Sequence, residues 1–199
     1  MKKGKRSASS PAGNPIARQS GPVVSASLSV TPFKSRQEEA PLRIRPGASR
    51  DIAAMMALIR GLAKYERLLG KYRPDAKRFR RHGFGRHRYF ETLICTQGGR
   101  PIGFALYYFV YSTFACRPIL FIEDLFVLTD QRGKGAGKAL MSTLARIAIR
   151  KKCSQMAWNV LDWNTPAIKF YRRLGASLDK TWLIMRLVDA PLRRVARSR

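Results

Sequence analysis

Acidic residues are scarce in this chain: 12 aspartates and glutamates stand against 39 lysines and arginines, a formal net charge of +27 over 199 residues. Such a balance resembles that of nucleic-acid-binding proteins more than that of a small enzyme, and predicts association with polyanions at low salt. Long apolar runs are missing too. No stretch approaches the roughly 18 apolar residues that a membrane-spanning helix needs. The apolar patch near the N-terminus, Val23 to Val30, is interrupted by Ser25, Ser27 and Ser29 and makes a poor secretory core. Cysteine is sparse: Cys95, Cys116 and Cys153 lie far apart, in neither a metal-ligand spacing nor a disulfide framework. Each falls in an apolar run and reads as a buried, reduced thiol. The two histidines, His82 and His87, have no carboxylate partner or ligand spacing, so no role and no metal are assigned to them. A cytoplasmic protein away from the membrane is the expectation.

What is present is one core's worth of apolar sequence, 45% of the chain, which implies a single domain. Residues 1 to about 40 are rich in Ser, Pro, Gly, Lys and Arg, with no acid before Glu38 and no period of 2 or 3.6, and read as a disordered basic tail. A mitochondrial transit peptide shares that composition, but Pro11, Pro15, Pro22 and Pro32 break any long amphipathic helix. A second basic tail is expected over 190–199, leaving 41–189 as the folded domain. Both tails are candidate sites of non-specific nucleic-acid association.

Within the domain, Leu42 to Arg45 alternates like a short strand, and Asp51 to Glu66 carries a helical stripe through Ile52, Met55, Met56, Ile59, Leu62 and Ala63. Strands are expected over Tyr89 to Thr96, Ile102 to Tyr111 and Ile119 to Val127. Lys138 to Lys151 reads as a helix, Met156 to Leu161 as a strand, Pro166 to Leu174 as a helix and Trp182 to Val188 as a final strand. Strand pairs followed by strand–helix units imply an α/β fold with a mixed sheet and helices on its faces.

The chemistry concentrates after Ile119 to Val127. A turn at Leu128-Thr129-Asp130 leads into Gln131-Arg132-Gly133-Lys134-Gly135-Ala136-Gly137 and then a helix. At a helix N-terminus the first amides lack intrahelical partners and the macrodipole is positive. Glycines let such backbone curl around a pyrophosphate, and Arg132 and Lys134 add charge. No Gly-Lys-Ser/Thr closes the loop, so it is not a nucleotide P-loop. The glycines run too tightly for a dinucleotide fingerprint, and no acid follows about 20 residues on.

The pattern Arg-x-x-Gly-x-Gly after a strand is similar to the pyrophosphate loop of the GNAT acetyltransferases. Asp162 to Ala176 resembles their second signature, in which a strand ends at Asn, a helix begins, and a Phe-Tyr pair precedes a glycine-ended helix. Its local physics is consistent: Asn164 suits an N-cap, Pro166 the first turn and Gly175 a C-terminal cap. Ala63 to Glu66, His82 to Gly85, Gly103 to Phe109 and Leu120 to Val127 look further like the diamine (spermidine/spermine) acetyltransferases. The likeness spans about residues 42 to 188.

The resemblance implies the GNAT fold, with two strands splayed at a bulge to bind acetyl-CoA, and no metal. It implies that the backbone of Leu125, Phe126 and Val127 pairs with the pantetheine arm and polarises the thioester carbonyl. Arg132, Gly133, Lys134, Gly135, Ala136, Gly137 and Lys138 would hold the pyrophosphate, with Asn164, Pro166 and Tyr171 completing the cofactor site. Tyr171 matches the acid that protonates the departing thiolate, and Glu123 the residue that binds the amine and relays its proton. Asp124, next along, would face the opposite way in a regular strand. Tyr65 and Glu66 match acceptor contacts. A homodimer is implied as well.

The acceptor stays open at this point. Polyamines are polycations, whereas Arg78, Arg80, Arg81, Arg86 and Arg88 crowd the segment expected near the acceptor entrance. A polyamine, a diamine, an amino acid such as thialysine, or a protein lysine or N-terminus all fit the same amine chemistry. A basic nucleic-acid- or ribosome-associated module on the same scaffold is the alternative from a different class.

Overall fold

Apolar residues that alternate between two faces need cover on both, and the sheet receives it. In the computed structural model, the structure describes residues 40–198; the expected N-terminal tail lies outside the described residues. Five strands, β1 (Leu42–Pro46), β2 (Glu91–Gln97), β3 (Arg100–Ser112), β4 (Arg117–Val127) and β5 (Gln155–Trp158), form one sheet in chain order. β1 through β4 pair antiparallel, whereas β5 joins β4 in parallel after a helical crossover. Around them pack α1 (Ile52–Tyr65), α2 (Ala76–Phe84), α3 (Ala136–Arg150) and α4 (Thr165–Arg173); α5 (Ala190–Arg197) follows.

One face of the sheet presents Leu93, Cys95, Ala105, Tyr107, Leu120 and Ile122 to Leu140, Leu144 and Ile147 of α3, with Phe170 and Tyr171 of α4 at its margin. The other presents Phe104, Leu106 and Phe126 to Leu58 of α1 and Phe79 of α2. Gly61 lets α1 lie close: a Cβ there would meet the Phe126 ring at 3.0 Å. That approach brings the end of α1, Tyr65 and Glu66, over the C-terminal half of β4. At the other end of α1, Arg45 forks onto Asp51 at 2.6 and 2.7 Å, and Asp51 also accepts the Ala48 N–H at 2.8 Å. The Asp51 carboxyl is held below its ordinary value by the Arg45 hydrogen bonds.

Several sequence expectations change, among them Cys116, expected buried and found exposed. Trp182 to Val188 is not a strand: Trp182 is 78% and Met185 89% exposed, and no ladder includes them. An apolar run of that kind becomes a strand only beside a hydrogen-bonded neighbour, and among the described residues it has none. The β5 strand stops at Trp158 rather than Leu161, because β4 turns away there. The helix α2 went unread, since its half-buried aromatics, Phe79 and Phe84, sit among cations; its signal was Asp75, whose carboxylate accepts the Arg78 N–H at 2.8 Å as an N-cap. Residues 190–197, expected as a tail, form α5 with every residue exposed.

Candidate active site

The site begins with one surplus residue. β3 and β4 pair Leu106 with Asp124 and Tyr107 with Ile122, so Glu123 has no partner on β3. This β-bulge reverses the phase of the strand. Leu120 and Ile122 face α3, while Phe126 beyond the bulge faces α1. Pairing with β5 ends at the same place, with Ile122 opposite Trp158, so the two parallel strands part. The Leu128 N–H bonded to Ile102 O at 2.9 Å fixes the ladder's phase beyond the bulge. By alternation, the backbone of Phe126 turns to β3, and that of Leu125 and Val127 turns into the gap. The Val127 carbonyl accepts the Arg132 Nε–H at 3.0 Å.

At one end of the gap, Gly133 (φ 81°) and Gly135 (φ 92°) carry the chain into α3. A Cβ on Gly133 would meet nothing within 4 Å, and on Gly135 only a Leu42 methyl at 3.9 Å, so the backbone is open on its outer side. No side chain caps α3, and its first internal bond runs from Ala139 N–H to Gly135 O. The amides before Ala139 therefore point outward without intrahelical partners, at the positive end of the helix. This is an anion cradle.

At the other end lie acids. The bulge lets both Glu123 and Asp124 line one cleft of about 470 Å³ together with Glu66. Asp124 is thereby corrected: a regular strand would have turned it away from Glu123. Burial first, then the charges of Glu123 and Glu66, raise the Asp124 carboxyl to about 7. Burial also raises Glu66. Tyr108 Oη donates to Glu123 Oε2 at 3.2 Å, so Glu123 is steered from β3. A cationic amine placed here would relieve like-charge repulsion among the three.

The sequence profile of the GNAT acetyltransferase family matches residues 62–176, more than half of the chain. This protein belongs to the GNAT acetyltransferase family. It is 34% identical to a thialysine N-epsilon-acetyltransferase of Mus musculus, over 77% of this chain and 96% of that protein. It is 36% identical to an L-ornithine N5-acetyltransferase of Arabidopsis thaliana, over 47% of this chain and 41% of that protein. Among solved structures, an integron cassette protein from the mobile metagenome of V. cholerae superposes with a TM-score of 0.67 at 25% identity, covering 79% of this chain and 98% of that one.

The GNAT elements gather most of the residues singled out from sequence. Leu125, Phe126, Val127, Arg132, Gly133, Gly135, Gly137, Lys138, Asn164, Pro166 and Tyr171 line the cleft, as do Tyr65, Glu66 and Glu123. Two do not: Ala136 is turned into the core at 2% exposure, and Lys134 sits exposed on the loop outside the cleft lining. Asn164 caps α4 by accepting the Ala167 N–H at 3.3 Å, and the same oxygen accepts the Tyr65 hydroxyl at 3.0 Å. The Arg132 guanidinium stacks 4.2 Å above the Tyr65 ring. Arg132 is thus already occupied as a clamp joining loop, strand and α1.

Tyr171, on α4, packs on Trp158 at 4.9 Å between centroids. Burial, and secondarily Glu66, lifts its phenol to about 12. It therefore stays protonated through the neutral range. Sequence reasoning missed Asn159, Val160 and Leu161, which line the cleft where β5 would have continued. Their signal was the end of strand pairing, which spacing alone does not show.

Proposed function

We propose that this acetyl-CoA-dependent enzyme acetylates the primary amine of a small diamine-like molecule, a polyamine or a basic amino acid, by direct attack in a ternary complex. One observation carries the reading: an anion cradle and a three-carboxylate pocket open onto the same cleft, with a free strand edge between them. A diphosphate at one end and an ammonium at the other place thioester and amine together. The relatives named for thialysine and L-ornithine support a small-molecule acceptor.

The open glycine backbone and uncapped α3 fit the diphosphate of acetyl-CoA, which supplies the activated acetyl thioester. The amides of Leu125 and Val127 face the gap; one hydrogen-bonds the acetyl carbonyl oxygen as negative charge builds there. Glu123 and Asp124 hold the incoming ammonium, and a carboxylate takes its proton so that the nitrogen lone pair is free. As the C–N bond forms and the C–S bond breaks, the Tyr171 hydroxyl gives its proton to the departing sulfur.

Incubation with polyamines, basic amino acids and basic proteins, followed by mass spectrometry of products, tests the acceptor. Acetylation of proteins alone would overturn the small-molecule reading. Tyr171→Phe is expected to lower kcat about 100-fold with calorimetric CoA affinity unchanged; equal turnover would remove the assigned role.

A homodimer belongs to the same proposal. The outer edge of β5 and the exposed run Trp182 to Val188 are complementary needs on one chain, and two copies can meet both reciprocally. Sedimentation is expected to give twice the chain mass, and deletion of residues 182–198 a monomer that aggregates. A monodisperse full-length monomer would refute it.

A further inference from the structure

The acid pocket leaves unexplained why the neighbouring surface is so basic. From Arg67 to Phe90 the sole acid is Asp75, already committed as the α2 cap and paired with Arg78 Nε at 3.5 Å. Lys77, Arg80 and Arg81 on α2, and Arg86 and Arg88 on the turn after it, are exposed. Among the described residues, none of these five cations joins an ion pair, Asp75 being bridged to Arg78 and Asp51 to Arg45. They cannot serve a polycationic acceptor, which they repel.

Their arrangement is fixed. Phe79 packs on Phe90 at 4.8 Å and on Phe84 at 6.4 Å between centroids, and Gly83 is buried against the Phe90 ring. This aromatic seam holds the inner side of α2 and leaves the cations outside. The turn folds back so that the Tyr89 N–H donates to His82 O at 2.9 Å. The Tyr89 ring stands edge-on to His82 at 4.9 Å between centroids yet is 71% exposed. A rigid aromatic face among unpaired arginines is the combination that takes a base by stacking and its phosphates by charge.

We propose that the α2 flank, Lys77 to Tyr89, binds single-stranded nucleic acid, with Tyr89 as the stacking platform. Charge complementarity requires a polyanion, and the exposed ring selects one with free aromatic faces, which a duplex hides. Its other aromatics are turned inward, so the flank lacks the apolar fringe with which a lipid-binding surface enters the headgroup region. The proposal stands apart from the acetyl-transfer reading, since it uses none of the cleft residues.

Anisotropy of a labelled oligouridylate of about 15 nucleotides, titrated with the full chain across a salt series, tests it. The full chain keeps its other basic segments, so the comparison is between slopes. Changing Arg80, Arg81, Arg86 and Arg88 together to Gln is expected to shrink the slope of log K against log salt by about 3, at roughly 0.7 for each phosphate no longer neutralised. Tyr89→Ala is expected to weaken single-strand binding about tenfold with the slope unchanged, and to leave duplex binding alone. Unchanged melting temperatures establish that both variants fold. Equal slopes for wild type and the quadruple variant would overturn the proposal, as would a silent Tyr89→Ala. Tighter binding of anionic vesicles than of the oligonucleotide through the same arginines would replace it with a membrane surface.

Discussion

Asp124→Asn is expected to lower kcat/KM by two to four orders of magnitude while raising the melting temperature at pH 8. Both effects have one origin. Burial, reinforced by Glu123 and Glu66, lifts the Asp124 carboxyl to about 7, from 3.8 in a free chain. Between those values the folded protein keeps a proton that the unfolded chain has released, so stability falls as pH rises through that window. Above pH 7 the full penalty applies, up to about 4 kcal/mol at 1.36 kcal/mol per unit. Asn is uncharged, so the penalty vanishes in the variant, but so does a group that can hold an ammonium and take its proton. Wild-type kcat/KM should rise with pH through about 7, and the variant should lack that limb. A variant with wild-type activity and an unchanged limb would show that Glu123 acts alone.

Gly135→Val should abolish cofactor binding more completely than it damages the fold. Gly135 has φ 92° and is the N-cap of α3. A β-branched residue there carries strain of about 1–3 kcal/mol and puts methyl groups on the open side of the cradle. Calorimetry with CoA is expected to show affinity reduced at least 100-fold. Gly99→Val supplies the control: Gly99 has φ 80° in the β2–β3 turn, with nothing within 4 Å of a Cβ where Gly135 has only a Leu42 methyl at 3.9 Å, but it does not line the cleft. It should lose comparable stability and keep its CoA affinity. Equal binding losses in the two variants would mean that strain, not the cradle, is being read.

Much of the site was legible because its parts are local. Glycine spacing after a strand, an Asn before Thr-Pro, and a Phe-Tyr pair each state their own geometry, and Gly175, read as a helix terminator, takes φ 90°. Strand and helix positions within the sheet followed from periodicity for the same reason. What escaped depends on pairing. Nothing in Phe121-Ile122-Glu123-Asp124 marks Glu123 as surplus, because a bulge is defined by the partner strand; Asp124 was therefore assigned to the wrong face. The run Trp182 to Val188 failed in the opposite sense. Its composition is that of a strand, but a strand needs a neighbour that these residues do not find within one chain. For α2, weak apolar periodicity hid a helix held by one cap and an aromatic seam.

The unpartnered Glu123 makes the length of β4 a functional variable. Deleting Glu123 itself would let the ladder run straight through, with Asp124 still opposite Leu106 and Ile122, opposite Tyr107, directly before it. The gap beside β5 would lose its cause, and Asp124 would lose the neighbouring carboxylate with which it shares the cleft. The shortened protein is expected to fold and to lose amine acetylation; acetylation at the wild-type rate would show that the surplus residue is dispensable.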